Sequence, residues 1–330
     1  MNSFGRLFRV SILGESHGAR IGVLIDGCPA GLPLSPEDMR EDLDRRRAGA
    51  KGTTPRKESD IPTIETGLFN GRTTGAPLLI TFPNGDVDSS SYEAMRSTPR
   101  PGHADFVAHQ KFGGFEDYRG GGHFSGRLTA ALVAAGVVAK RLIAPVVIRA
   151  TLLEVGGRGE IQEAVDEAVA SGDSIGGVCE CRATGLSVGL GEPFFDSVES
   201  LIAHAVFAIP AIRGIEFGAG FGSARMKGSE CNDALSDADG ATLTNNAGGV
   251  NGGIANGNEL VFRIAVKPTS SIAKEQQTYN RDTNALESFV VKGRHDACIA
   301  LRVPPVLEAV TAIVLADLSM IEQRVKRVQE

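Results

Sequence analysis

The chain has no tryptophan and only three tyrosines among its 330 residues, with fifteen phenylalanines. A nucleic-acid surface built from aromatic stacking platforms is therefore not expected. Cysteine is scarce as well: Cys28, Cys179, Cys181, Cys231 and Cys298 are odd in number and widely spread, which fits a reducing, cytoplasmic setting better than a disulfide framework. Cys179 and Cys181 lie one residue apart, and no second pair exists to complete a zinc site. The longest uncharged apolar stretch, Leu128 to Ala139, stops at Arg127 and Lys140 and falls short of the ~20 residues a bilayer demands. It predicts a buried helix, and no membrane association is expected. Near the start, Arg6 and Arg9 are followed by no secretory-type apolar run. H-E-x-x-H is missing, as is G-x-G-x-x-G after a strand, and Gly218-x-Gly220-x-Gly222 has the wrong spacing for a dinucleotide fold.

What the chain does have is glycine, 41 residues without a collagen period, and an uneven distribution of charge. The formal net charge is −6, from 34 basic and 40 acidic side chains, yet cations cluster at Arg45, Arg46, Arg47, Lys51, Arg56, Lys57, Arg96, Arg100, Arg119 and Arg127. Such clusters in an acidic protein point to local recognition of an organic anion. Alternation predicts strands over 7 to 13, 21 to 25, 77 to 82, 146 to 155, 178 to 184, 213 to 218 and 260 to 266, and a further one through Phe289-Val290-Val291. Ser35-Pro36-x-Asp38, with Leu34 against Met39, predicts a capped helix ending near Gly49. Further helices are predicted over 127 to 142, with Gly136 as a close-packing position, and over 160 to 171 on Ile161, Val165 and Val169. One more starts from an Asp196-x-x-Glu199 box, and a long apolar one follows Pro304 and Pro305. No sharp linker divides the chain, so residues 1–330 read as one intertwined α+β domain.

Histidines are few, and three sit among glycines or charges. His17 lies in Gly14-Glu15-Ser16-His17-Gly18, out of register for a G-x-S-x-G nucleophile, and its ordinary pKa near 6.5 suits proton transfer both ways. His103 lies in Arg100-Pro101-Gly102-His103-Ala104-Asp105, where an arginine can hold an anion beside the imidazole. Arg294-His295-Asp296 sets a cation, an imidazole and a carboxylate together after a predicted strand. His109, at an apparent helix start, reads as a supporting residue and His204 as a core or interface residue. Arginines crowd these histidines and would repel a divalent ion, so no metal is expected. Lys267-Pro268-Thr269-Ser270-Ser271 offers hydroxyls and amides for a phosphate, and Gly248-Gly249 and Gly252-Gly253 allow backbone to approach a flat ligand. A flavin enzyme acting on a phosphorylated sugar acid and a non-catalytic anion-binding module both remain open on these residues alone.

The blocks GESHG (14–18), DRRRAG (44–49), TTPRKE (53–58), RPGHAD (100–105), DYRGGG (117–122), NNAGGVNGG (245–253), KPTSS (267–271) and GRHDAC (293–298) resemble, in order, those of the chorismate synthase family. The resemblance implies a β-α-β sandwich with antiparallel sheets enclosing helices, and a homotetramer. It implies anti 1,4-elimination of phosphate from 5-enolpyruvylshikimate 3-phosphate with reduced FMN. Reduced flavin then comes from a separate reducing system, with NADPH as an indirect reductant. It assigns His17, His103 and Asp296 as catalytic, and His123, Phe124, Ser125, Pro210, Ala211, Gly252, Lys267, Pro268, Thr269, Ser270, Ser271 and Arg294 as cofactor-binding. Arg46, Lys51, Arg100 and Arg127 are assigned to substrate or anion. Two departures stand out: His123-Phe124 replaces an arginine-led segment, and Gly52 stands where arginine is common, leaving Lys51 as the nearest substitute.

Overall fold

Strands with one strongly apolar face build two antiparallel sheets. In the computed structural model, which describes residues 2–90 and 92–324, the first sheet runs Ser3–Phe4, Arg9–Gly14, Arg20–Asp26, Leu78–Pro83, Thr63–Thr66. Val10 pairs with Ile25 and Val23 with Ile80, so the buried side chains Ile21, Val23, Ile25, Leu78, Ile80 and Phe82 share one face. The second sheet runs Ile212–Phe217, Leu260–Val266, Gly177–Thr184, Val147–Val155. Cys179 stands opposite Ile264 on one side and Leu152 on the other, and both Cys179 and Cys181 are buried free thiols.

Between the sheets lie two helices. Thr129–Leu142 packs on the first sheet, Val303–Arg324 on the second, and the two pack on each other. Both carry small and branched apolar residues all round, as helices buried on every side must. The segment Ile299–Gln323 is long and apolar enough to cross a membrane, but 83% of its apolar window is buried inside the molecule, where it forms the core. Close approach of the helices rests on Gly136: a Cβ there would lie 2.3 Å from that of Ala309. Two buried carboxylates fix the long helix. Glu308 accepts from Arg45 (2.7 and 2.9 Å), Lys140 Nζ (2.7 Å) and the Ala150 amide (3.0 Å), so one side chain joins two other helices and the second sheet. Asp317 accepts the amides of Arg6, Leu7 and Phe8 at 2.7–3.0 Å, tying the far end to the first sheet.

The structure alters several local expectations. The capped start at Ser35 is present, with Ser35 N donating to Asp38 at 2.7 Å, but the helix Arg40–Arg46 stops before Gly49. Ser197, not Asp196, caps Val198–Val206, because its hydroxyl reaches the Ser200 amide (3.0 Å) while Asp196 turns to Arg6. On Ile161–Ala170 the buried face is Ala164, Val165 and Ala168, and Val169 is 41% exposed. The strand Ala285–Phe289 ends before Val290, so Arg294-His295-Asp296 sits on a loop. His109 lies in the second turn of Asp105–Phe112 and bonds Glu116, whereas His204 is exposed, edge-on to Phe4.

Candidate active site

A cavity of about 1080 Å³ opens at the end of the sandwich where both central helices begin. Its wall takes Ser125, Gly126, Arg127 and Thr129 from the start of one helix, and Ile299, Arg302, Val303 and Val306 from the start of the other. The positive ends of two helix dipoles therefore face the same space. Among the described residues, ten Lys and Arg line it against four Asp and Glu, in a chain whose formal net charge is −6. Such a wall concentrates small anions.

His17 follows the first sheet's second strand and enters this cavity. Its Nδ1 lies 2.8 Å from Ser89 Oγ, and its ring meets Tyr92 edge-on at 5.3 Å. Gly120, at φ +60°, passes so close that a Cβ would lie 2.4 Å from His17 Nε2, so only glycine lets the 119–126 segment close over the imidazole. Burial, and then the guanidiniums of Arg56, Arg119 and Arg294, push the His17 pKa below 6.5. Arg56 also bonds Ser16 Oγ (2.9 Å) and Glu58 (2.6 Å).

His103 is oriented by a carboxylate. Its Nδ1 lies 2.6 Å from Asp105 Oδ1, and Arg100 grips Asp105 at 2.7 and 2.8 Å. That arrangement places the Nδ1 proton toward Asp105 and leaves Nε2 for a ligand. Asp105 is buried, which alone raises a carboxyl pKa, yet its bonds from Arg100 and His103 hold it well below the usual range. The His103 pKa is nonetheless lowered, because burial outweighs the help from Asp105.

The third cluster comes from the 293–302 loop. Gly52 accepts the Ala297 and Cys298 amides (2.8 and 3.1 Å), while Thr54 N donates to Asp296 at 3.0 Å. Arg302 Nη1 lies 3.3 Å from both Asp296 oxygens, and Arg294 clasps Asp86 at 2.8 Å. Hence His17, His103 and Asp296, three segments far apart in sequence, line one cavity. His123, Phe124, Ser125, Pro210, Ala211, Lys267, Pro268, Thr269, Ser270, Ser271, Arg294, Arg46, Arg100 and Arg127 line it too. Lys51 and Gly252 do not: Lys51 is 60% exposed and paired with Asp166, and Gly252 sits on the hairpin Val250–Ala255. Gly248, Gly249 and Gly253 make room for neighbouring protein backbone instead of a flat ligand. His123 is held by Gly14 O (2.8 Å) and Asn2 Oδ1 (3.1 Å).

Residues without a sequence-derived role matter here. Asp60 lies between Arg46 (2.7 Å) and Arg127, with all three side chains at most 3% exposed. Burial pulls the Arg46 pKa down to about 10, which leaves it cationic at neutral pH. The two guanidiniums hold Asp60 below its ordinary value despite its own burial. The block at 53 to 58 already contained Arg56 and Glu58, but Asp60, Asp86, Ser89 and Arg302 carry no sequence signal; only folding brings them in. Arg46 Nε, Thr269 Oγ1 and His295 Nε2, all from lining residues, are buried with no partner among the described residues.

Residues 8–320 match the family model described as chorismate synthase. Chorismate synthase of Chitinophaga pinensis is 65% identical over 329 residues, covering 99% of each chain. That of Dehalococcoides mccartyi is 46% identical, covering 97% of this chain and 96% of the relative. A crystal structure of a chorismate synthase superposes with a TM-score of 0.75 at 26% identity, covering 97% of this chain and 93% of the other.

Proposed function

This chain belongs to the chorismate synthase family of lyases in aromatic amino-acid biosynthesis, and from that premise we propose that it eliminates phosphate from 5-enolpyruvylshikimate 3-phosphate to give chorismate. The observation that carries the reading is the sharing of one cation-lined cavity by His17, His103 and Asp296. Its volume lies just above the roughly 300–1,000 Å³ of small-molecule pockets, room for a cofactor and a substrate together.

The donor set suits reduced FMN: hydroxyls and an ammonium at Lys267 to Ser271 for a phosphate, with Ser125 and the Pro210-Ala211 backbone beside the apolar Phe124. When bound, the reduced flavin supplies electron density to the breaking C–O bond without net oxidation. The protein's residues bind, orient and move protons. Arg56 and Arg294 set positive charge around His17, which donates a proton to the departing phosphate. A dianionic phosphate arriving there offsets their repulsion and restores the imidazolium. His103, aimed by Asp105 through Nδ1, presents Nε2 to the ligands and acts as an acid there once their negative charge has drawn a second proton onto the ring, and Asp296, fixed by Thr54 and Arg302, accepts one. Arg46 and Arg127, neutralised in part by Asp60, shape the anion wall from behind. Residues 1–330 act as one catalytic unit, cytoplasmic and homotetrameric, with reduced flavin delivered by a separate NADPH-dependent system.

Anaerobic incubation with chemically reduced FMN tests this: one phosphate and one chorismate appear per turnover while the flavin stays reduced. Flavin oxidation in step with product overturns the assignment. His17→Ala and His103→Ala each lower turnover at least about 100-fold while retaining FMN binding, and wild-type rates in both variants overturn the acid roles.

A further inference from the structure

The protein itself answers most of the cavity's positive charge. Among the described residues, seven of the ten Lys and Arg side chains in its wall meet a carboxylate. Lys57 lies beside Asp86, which accepts its amide at 2.8 Å. Arg213 and Lys267 are left, both in the cavity wall and neither paired with a carboxylate among the described residues. Lys267 Nζ lies 2.8 Å from Gly102 O and 2.8 Å from Ser270 Oγ, both neutral, so one of its three N–H donors is unused. The exposed Arg213 guanidinium has no hydrogen bond or ion pair among the described residues. Backbone irregularity sets this arrangement. Ile212 pairs with Val266 and Gly214 with Ala265, so Arg213 is the extra residue of a β-bulge, a device that re-aims a side chain. Just before it, Ala211 takes φ +74°, uncommon for a residue with a Cβ, and its carbonyl accepts the Lys267 amide at 2.9 Å. Burial, and then the Arg213 charge, push the Lys267 pKa below its ordinary value, as expected of two cations without a counter-charge.

We propose that Arg213 joins Lys267 in binding a phosphate monoester, and that this unpaired couple selects a phosphorylated ligand over its phosphate-free counterpart. The inference rests on the proposed function, which offers two such groups: the phosphate of the flavin and the phosphate of the substrate. A dianion between the two side chains takes a charge-assisted hydrogen bond from each and cancels their repulsion. The guanidinium fork can hold two phosphate oxygens at once, while the ammonium acts as a point charge. The other cavity cations, already held by carboxylates, have less to offer a newcomer.

Two ligand pairs separate the sources. Affinities are measured for oxidised FMN against riboflavin, and, on enzyme loaded with oxidised FMN, for 5-enolpyruvylshikimate 3-phosphate against chorismate, which keeps two carboxylates but no phosphate. The proteins are wild type, Arg213→Met and Arg213→Lys. Arg213 is exposed on the edge strand of its sheet, so both variants are expected to fold, which thermal melting checks; Arg213→Gln replaces the methionine variant if that does not. With the flavin phosphate as occupant, Arg213→Met binds FMN approximately tenfold more weakly and riboflavin as before, and Arg213→Lys recovers part of the loss. With the substrate phosphate as occupant, a similar loss falls on 5-enolpyruvylshikimate 3-phosphate and spares chorismate. Unchanged affinities, or equal losses within each pair, overturn the inference. Wild type that binds neither flavin nor substrate overturns the proposed function and this inference together. Wild type that turns over beside an Arg213→Met variant with unchanged affinities overturns the inference only.

Discussion

At the scale of single residues, the polar groups buried by this fold are its most sensitive points. Glu308 is fully enclosed and held by Arg45, Lys140 and a strand amide, which offset its burial and bring its pKa down to about 2. Replacing it with glutamine leaves two cations facing a neutral group and lowers stability by about 3 kcal/mol in urea unfolding. Because the folded pKa lies below the ordinary 4.5, this contribution is whole above pH 4.5 and disappears as pH falls through about 2. His295 acts at higher pH. Its pKa falls from 6.5 to about 4 on folding, so the unfolded chain binds the extra proton between those values. Stability therefore drops as pH falls from 6.5 to 4, by up to about 3 kcal/mol, and levels off below. In His295→Gln this part of the pH–stability curve flattens; an unchanged curve excludes the buried neutral imidazole. The sequence made His17, His103 and Asp296 visible because each lies in a compact, unusual block. It concealed their supports, since the Asp86–Arg294 pair spans 208 positions and no local pattern announces it.

Elements tell a similar story with different limits. Strands were legible where burial alternates or runs continuous, as in Leu78–Pro83, and the two central helices where apolar residues persist between charged ends. Caps and faces were less so: Asp196 and Ser197 are both good cap residues, and only the direction of the preceding chain decides between them. Which helix lies against which sheet was not legible at all, because it depends on pairings such as Ile64 with Ile80 and on the fit of Gly136 to Ala309. That fit yields a prediction. Gly136→Ala brings a methyl into the helix crossing, and the strain outweighs the about 1 kcal/mol of added helix propensity. A net loss of about 2 kcal/mol is expected in denaturant unfolding, partly recovered when Ala309→Gly is added. Additive effects of the two changes would exclude a direct contact.

For the molecule as a whole, the contrast between an acidic surface and a basic cavity sets the encounter with substrate. Attraction of a multiply charged anion into a narrow positive mouth falls with ionic strength. On raising salt from about 0.05 to 0.5 M, kcat/KM is expected to drop about tenfold while kcat at saturation changes little. A salt-independent kcat/KM would mean that the wall's cations are already spent on the protein's own carboxylates, as Arg46 and Arg127 partly are on Asp60. The cavity takes residues from His17 to Val306, nearly the whole length of the polypeptide. On the ribosome, at about 5–20 residues per second, that separation delays assembly of the site by roughly 15–60 s. A nascent or truncated chain lacking the last segment has no Asp296, no Arg302 and no second helix start. Copies that stop short of residue 306 therefore present an incomplete cavity.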